Sequence, residues 1–256
     1  MTNYVVCIGT SNVDIQGFAG MPVIPQDKNP DGTVEVWAGG VARNIGENLA
    51  RLGVPVKMLT AVGDDAHADK ILSDSRSAGM DMTHVLKLKN QQSGAYISIT
   101  DVDGDLFVGL TDMRIAGEMT VDYFKSKQAI LDGAGVMVLS PCVSAEVMDY
   151  LCQHFDRPIF LDVVSKAYVP VIRAVIHDHL GAFHTIKANR PEAEDLSGVK
   201  ISNSEDLARA ADAVLKQGVQ RMIISLGKDG VYYQESNGLI MCRRTKAVTR
   251  MVNATG

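Results

Sequence analysis

The sequence predicts an α/β fold: a mostly parallel sheet with helices on both faces and a small β-sheet lid. Short apolar runs such as Tyr4-Val5-Val6-Cys7-Ile8 and Met222–Ser225 alternate with stretches of helical period. That alternation is the pattern of buried strands joined by crossover helices. Two stretches break the rhythm. Thr33-Val34-Glu35-Val36-Trp37 alternates polar and apolar, as does Ala95–Leu110 with Asp103-Gly104 as its turn. Both read as antiparallel strands with an exposed face, inserted between α/β units as a lid or a dimer surface.

The elements follow in order. Tyr4–Ile8 is a buried strand ending at Gly9, and Val41–Leu52 a helix stopped by Gly53 with Pro55 beyond it. Lys57–Val62 is a second buried strand, and Ala66–Ala78 a helix ending at Gly79. Helix Val121–Leu131, strand Val136–Leu139, helix Ala145–Phe155 behind Ser144 and strand Ile159–Asp162 come next. Strand Thr185–Lys187, helix Glu205–Gln217 behind Ser204 and strand Met222–Ser225 complete the pattern. Serine suits the N-cap positions, and Glu205 and Asp206 suit the positive end of a helix dipole.

A chain of 256 residues can bury one substantial core. A single α/β domain over 1–256 is expected, with lid strands from about 15–38 and 93–112. The 46% hydrophobic and 21% charged composition is that of a globular protein. A net charge of −5 without a basic tract argues against a nucleic-acid partner, and Arg243-Arg244 reads as a solvated strand end or hairpin edge. Four cysteines lie far apart with no C-x-x-C pair, so buried, reduced thiols and a cytoplasmic location are expected. The start lacks a basic n-region and no apolar run reaches membrane-spanning length, so neither secretion nor membrane insertion is expected. The 12 methionines read as core filler, and His154 as a helix C-terminal partner.

Several short motifs carry possible chemistry. Gly39-Gly40-Val41-Ala42-Arg43-Asn44 precedes the first long helix. Paired glycines let backbone approach a ligand closely or simply turn sharply, and Asn44 one turn on can both give and accept hydrogen bonds. Gly9-Thr10-Ser11-Asn12-Val13-Asp14 follows the first strand, at the carboxyl end where open α/β sheets bind ligands. Taken alone it is equally an Asx-turn loop. The chain has neither a dinucleotide-binding G-x-G-x-x-G nor a Gly-Lys-Ser/Thr phosphate loop at these positions.

With the later motifs Asn189-Arg190-Pro191-Glu192, Ser225-Leu226-Gly227-Lys228-Asp229-Gly230 and Asn253-Ala254-Thr255-Gly256, the order resembles the ribokinase-like (PfkB) carbohydrate kinases across the whole chain. Within that family, Lys28–Gly32, Gly39–Ile45, Thr111-Asp112-Met113 and the asparagine at 253 are most similar to the pseudouridine-kinase branch. The resemblance implies transfer of the ATP γ-phosphoryl group to a ribose hydroxyl, the 5′-OH if the acceptor is pseudouridine. It implies substrate contacts from Asn12, Asp14, Gly39, Gly40, Asn44, Asp112 and Lys166. Lys166 follows Asp162-Val163-Val164-Ser165 where relatives often carry Asp-Pro-Val-Ser, which leaves its role open. Nucleotide contacts fall on Asn189, Ser225, Gly227, Gly230 and Asn253, and Mg²⁺ on Glu192, with a monovalent cation such as K⁺ as a further option. Taken alone, Glu192 reads first as a helix-forming carboxylate and Gly227 to Gly230 first as a hairpin turn; the ordered context with Asn189 shifts both. A homodimer through the lid is implied as well.

Thr255 and Gly256 match the opening of the family's anion hole, and its general-base aspartate would follow three residues later. The chain as written is therefore expected to lack that carboxylate and to be inactive, with an exposed apolar patch where further helices would pack. The alternatives are another sugar or nucleoside kinase of ribokinase type, or a catalytically dead ligand-binding fragment.

Overall fold

The structure is a computed structural model that describes residues 4–23, 30–179 and 181–243. It divides into two compact units: Cys7–Lys127, and a second made of the chain start to Val6 together with Gln128 onward. The chain crosses between them inside β1 (Val5–Ile8) and again after Lys127.

The unit from Cys7 to Lys127 is built around a separate four-stranded sheet. Its strands are β2 (Asn12–Ala19), β3 (Gly32–Gly39), β7 (Gly94–Thr100) and β8 (Leu106–Asp112), in the order β3-β2-β7-β8. β2 pairs antiparallel with β3 and parallel with β7, and β7 and β8 form the hairpin expected around Asp103-Gly104. Gly104 has φ 85° and donates its N–H to the Asp101 carbonyl at 2.8 Å, the tight turn that a glycine permits. Register places Val36, Ile15, Ile97 and Leu110 in one row, and Val34, Gly17, Ile99 and Val108 in the next row of the same face. Val34, Val36, Ile97, Ile99, Val108 and Leu110 are exposed, so this face is an apolar surface.

Helices α1 (Val41–Arg51) and α2 (Ala66–Ser77) stop where Gly53 and Gly79 enter the left-handed region, as expected. The strand expected over 57–62 is two: β4 (Val56–Leu59) and β5 (Ala61–Val62), the latter paired with β6 (Leu86–Lys87). The helix expected over 121–131 is also two, α3 (Val121–Ser126) and α4 (Gln128–Gly133). Ser126 Oγ donates to the Tyr123 carbonyl at 2.6 Å, and Lys127 leaves helical geometry as the C-cap. A serine that bonds back to its own helix competes with the backbone ladder, and apolar periodicity does not report this.

The other unit holds β9 (Val136–Leu139), α5 (Ala145–His154), β10 (Ile159–Asp162), α6 (Val169–Asp178), β11 (Phe183–Asn189), α7 (Arg190–Ser197), α8 (Ser204–Leu215), β12 (Arg221–Ser225), β13 (Val231–Glu235) and β14 (Ile240–Arg243). β9, β10, β11 and β12 run parallel, and β13 and β14 extend the sheet antiparallel. Met137, Leu139, Ile159, Ile186, Met222 and Ile224 are fully buried along these strands. At about 25 cal/mol per Å² of apolar surface, burial of this kind is the main source of stability. α7 packs on β11 and β12, and α8 on β12 and β13.

Ser144 caps α5 as expected, accepting from Val147 N–H at 3.2 Å. For α8 the cap is Asn203, which accepts from Asp206 N–H at 3.0 Å, and Ser204 becomes the first helical residue. His154 Nδ1 lies 2.9 Å from the Tyr150 carbonyl at the end of α5, the terminal contact expected of it. All four cysteines are free, but only Cys7 is buried; Cys142 and Cys152 are half-buried and Cys242 is exposed. Among the described residues seven methionines are buried, in keeping with core filling. Among the described residues no helix is long and apolar enough to cross a membrane.

Candidate functional site

In the unit from Cys7 to Lys127, the candidate residues gather where β2 leaves the β1 loop and β3 enters α1. Asn12 and Asp14 lie on the same face of β2, two residues apart, and both are buried. Asn12 Nδ2 donates to Asp14 Oδ1 at 2.7 Å. Burial pushes the Asp14 carboxyl up, while the Asn12 hydrogen bond and the nearby Arg43 charge pull it back.

Gly39 and Gly40 are there because side chains are excluded. A Cβ on Gly39 would overlap the Asp14 carboxylate. Gly40 has φ 99°, and a Cβ there would run into Thr10 O and lie 2.9 Å from Ser11 Cα. Gly40 also starts α1, its carbonyl accepting from Asn44 N–H at 2.8 Å.

One residue of this cluster is not singled out by sequence reasoning. Arg43 is 4% exposed and donates to Ala38 O at 3.0 Å, Ser75 Oγ at 3.1 Å and Asn44 Oδ1 at 3.1 Å, and it pairs with Glu47. It ties together the end of β3, the first turn of α1, and α2. Arginine has no acceptor, so Asn44 must present its oxygen to Arg43 and its NH₂ elsewhere. The sequence shows only an arginine in the first turn of the helix, directly before Asn44, and periodicity reads it as one more polar position.

Asp112, at the end of β8, is bound by Arg114 through two side-chain contacts of 2.9 and 2.7 Å. The Arg114 guanidinium holds the Asp112 carboxyl down at about 2.

In the other unit the candidates lie at the carboxyl ends of adjacent parallel strands, where α/β sheets bind ligands. Asn189 ends β11 and is in register with Ser225, which ends β12. Asn189 and Glu192 form a capping box: Glu192 N–H donates to Asn189 Oδ1 at 2.9 Å, and Asn189 N–H donates to Glu192 Oε2 at 2.7 Å. Glu192 is 3% exposed, and burial pushes its carboxyl up. The neighbouring Lys187 lowers it and Asp162 raises it; these two pair at 3.2 Å across β10 and β11.

Immediately after Asp162 the backbone is strained. Val164 has φ 64°, its N–H donates to Asp162 Oδ1 at 2.9 Å, and Ser165 N–H closes onto Val163 O at 2.7 Å. A β-branched residue in this region is an outlier. Lys166 is paired with Asp195 of α7 at 2.9 Å. Gly227 (φ 59°) and Gly230 (φ 100°) shape the turn between β12 and β13, closed by Leu226 N–H on Gly230 O at 2.8 Å. Ser225 Oγ reaches Ala188 O at 3.4 Å. Asn253, Thr255 and Gly256 lie outside the described residues, as do Lys28, Asn29 and Arg244.

No group of three or more His, Cys, Asp or Glu side chains able to hold a metal gathers among the described residues. A lone buried carboxylate such as Glu192 suits a cation that keeps most of its water, since Mg²⁺ is usually bound through one or two carboxylates.

The parallel sheet, the separate four-stranded sheet and the glycine pair opening α1 define a ribokinase-like α/β protein. The sequence matches the pfkB family carbohydrate kinases over residues 2–256. The chain belongs to that family, whose members are carbohydrate and nucleoside kinases acting on small-molecule substrates. It is 34% identical to the pseudouridine kinase of Escherichia coli (strain K12) over 237 residues, 92% of this chain and 74% of that protein. It is 26% identical to the guanosine-inosine kinase of Exiguobacterium acetylicum over 253 residues, 96% of this chain and 82% of that one. The fold superposes on Arabidopsis thaliana ribokinase, complexed with ribose and ATP, with a TM-score of 0.81 at 19% identity, covering 100% of this chain and 82% of that one.

Proposed function

We propose that the chain transfers the γ-phosphoryl group of ATP to a ribose hydroxyl of a nucleoside, with pseudouridine as acceptor and pseudouridine 5′-phosphate as product. The observation that carries this reading is the buried Asp14 carboxylate beside Gly39. One of its oxygens takes Asn12, and the carboxylate itself fills the space left by the missing Cβ of Gly39. Such a carboxylate accepts hydroxyl protons, and Asn44, its oxygen held by Arg43, offers its NH₂ as donor. An acceptor and a donor of this kind select a diol over an apolar ligand, because a buried polar group left unpaired costs about 1–3 kcal/mol. Gly39 and Gly40 would let the sugar approach backbone, and Asp112 would contact the acceptor from β8. The 34% identity to a pseudouridine kinase favours that acceptor among nucleosides.

In the other unit, Asn189, Ser225, Gly227 and Gly230 would contact the nucleotide, with Asn253, Thr255 and Gly256 contributing from outside the described residues. Glu192 would hold Mg²⁺ through water, its position fixed by the capping box. Mg²⁺ neutralises charge on the transferring phosphoryl group. A K⁺ ion is a further cofactor to test. Lys166 would serve the acceptor only after leaving Asp195. In the reaction the bond from γ-phosphorus to the ADP oxygen breaks, a bond to the ribose oxygen forms, and the hydroxyl proton passes to a carboxylate base that the family resemblance puts outside the described residues. The exposed apolar face carrying Val36, Ile97 and Leu110 supports a homodimer through the four-stranded sheet, to be checked by sedimentation. A cytoplasmic location accords with four free cysteines.

The test is ADP release with pseudouridine, uridine, inosine and ribose as acceptors, with ³¹P NMR of the product. The reading expects the highest kcat/KM for pseudouridine. A preference for ribose replaces it with a ribokinase-type reading. Nucleoside binding by calorimetry without turnover replaces it with a ligand-binding one.

A further inference from the structure

The unit from Cys7 to Lys127 carries a cavity of about 490 Å³ whose lining includes Asp112 but none of Asn12, Asp14, Gly39 and Asn44. Its lining combines the run Asn90-Gln91-Gln92 with Asp112, Arg114 and Glu118. That volume lies in the range of small-molecule sites.

The carboxamide wall is anchored by its backbone. Asn90 has φ 56°, and its N–H donates to Asp64 Oδ2 at 3.1 Å. Asp64 N–H donates to Gln91 O at 3.4 Å. Ser93 donates to Asp65 from its N–H at 2.8 Å and from its hydroxyl at 2.7 Å, and Gly63 N–H donates to Ser93 Oγ at 3.0 Å. A Cβ on Gly63 would overlap Gln91 O, so the two loops are as close as backbone allows. The side-chain amides of Asn90, Gln91 and Gln92 have no partner among the described residues. All three side chains are exposed, so their amides are open to a ligand from a backbone that is held in place.

The cavity reaches the acceptor cluster at Gly94. This residue lines it, is in register with Asn12, and would bring a Cβ within 3.2 Å of the Asn12 Cβ. The ionisable walls carry Asp112 and Glu118 against Arg114, a formal charge of −1, which disfavours an anionic group. Carboxamides present donor and acceptor side by side, as does the amide or imide edge of a neutral nucleobase.

The geometry points to this cavity as the base-reading subsite, in which Asn90, Gln91 and Gln92 recognise the amide or imide edge of a neutral nucleobase. This rests on the reading of Asn12 and Asp14 as the ribose-binding pair. A ligand seated on those residues meets the amide wall across Gly94. The cavity, not the ribose cluster, then separates nucleosides from free sugars.

Calorimetric titration of the full chain with pseudouridine, uridine and ribose tests this, comparing the parent with Asn90→Gly/Gln91→Ala/Gln92→Ala. Glycine at 90 keeps the positive φ, and an unchanged melting temperature verifies the fold. The parent should bind both nucleosides more tightly than ribose. The triple variant should lose about 10- to 100-fold for the nucleosides, as expected for one to three lost hydrogen bonds, with ribose unchanged. A nucleoside advantage that survives the triple substitution overturns the subsite and leaves the proposed function standing. A parent that binds ribose as tightly as nucleosides also overturns the subsite. A parent that binds none of the three ligands overturns the function reading as well.

Discussion

Asp14 and Gly39 occupy one space: the carboxylate of Asp14 sits where any Cβ at position 39 would have to be. Gly39 is buried at the end of β3, and its backbone carries no positive φ. The requirement for glycine there is steric. Gly39→Ala should displace the carboxylate, lower stability by about 1–3 kcal/mol and weaken acceptor binding, read by chemical denaturation and calorimetry.

Asp14→Asn keeps the shape and removes the charge, so it separates stability from binding. Burial raises the Asp14 pKa in the folded state. The ionised group therefore opposes folding above that raised value, and the loss is recovered as pH falls through it. Asp14→Asn should be as stable as the parent or more so at pH 7, should lose this part of the pH dependence in acid, and should not bind acceptor.

Arg43 holds Ala38, Asn44, Glu47 and Ser75 at once from a buried position. Arg43→Ala should cost about 3–5 kcal/mol, because it leaves buried partners of a charge unpaired. Arg43→Lys should not rescue it, since an ammonium lacks the planar fork that reaches several acceptors. Urea denaturation of the two variants is the measurement.

The capping box separates structure from chemistry at Glu192. Asn189→Ala removes the cap and should cost about 1 kcal/mol. Glu192→Gln keeps an acceptor for the Asn189 N–H, so it should melt close to the parent. Its half-saturating Mg²⁺ concentration should rise about 10- to 100-fold, the range for losing a group that orients a metal's ligands. Equal Mg²⁺ dependence in the two proteins would remove Glu192 from the metal site.

Val164 stores strain at φ 64° beside the Asp162–Lys187 pair. Val164→Gly should raise stability by about 1 kcal/mol, because relief of the strained conformation outweighs the greater freedom of glycine in the unfolded chain. Thermal melting decides the sign.

Much of this protein was legible in the chain. Val136–Leu139 and Ile159–Asp162 came out with their observed ends, because fully buried parallel strands are continuous apolar runs. α1 and α2 ended where glycine allows the left-handed turn. α6 and α7 were not recovered. α7 is polar, begins with Arg190-Pro191 and stands on its capping box and its packing against β11 and β12, which apolar periodicity does not record. The break between α3 and α4 was hidden for a related reason, since Lys127 leaves helical geometry beside a serine hydroxyl turned back on its helix, and neither changes the apolar period.

The site divides in the same way. Residue types and spacing by themselves determined the α/β class, the glycine pair before α1 and the place of Asn12 and Asp14 just after the first strand, where the structure has them open β2. These depend on local backbone preference and on period, and both are written along the chain. Only the tertiary structure decided that Arg43 points the Asn44 amide, that Lys166 is taken by Asp195, and that three amides line a cavity beside Gly94. Those facts depend on groups distant in sequence competing for the same hydrogen bonds and the same space, and that competition is settled only when the chain has packed.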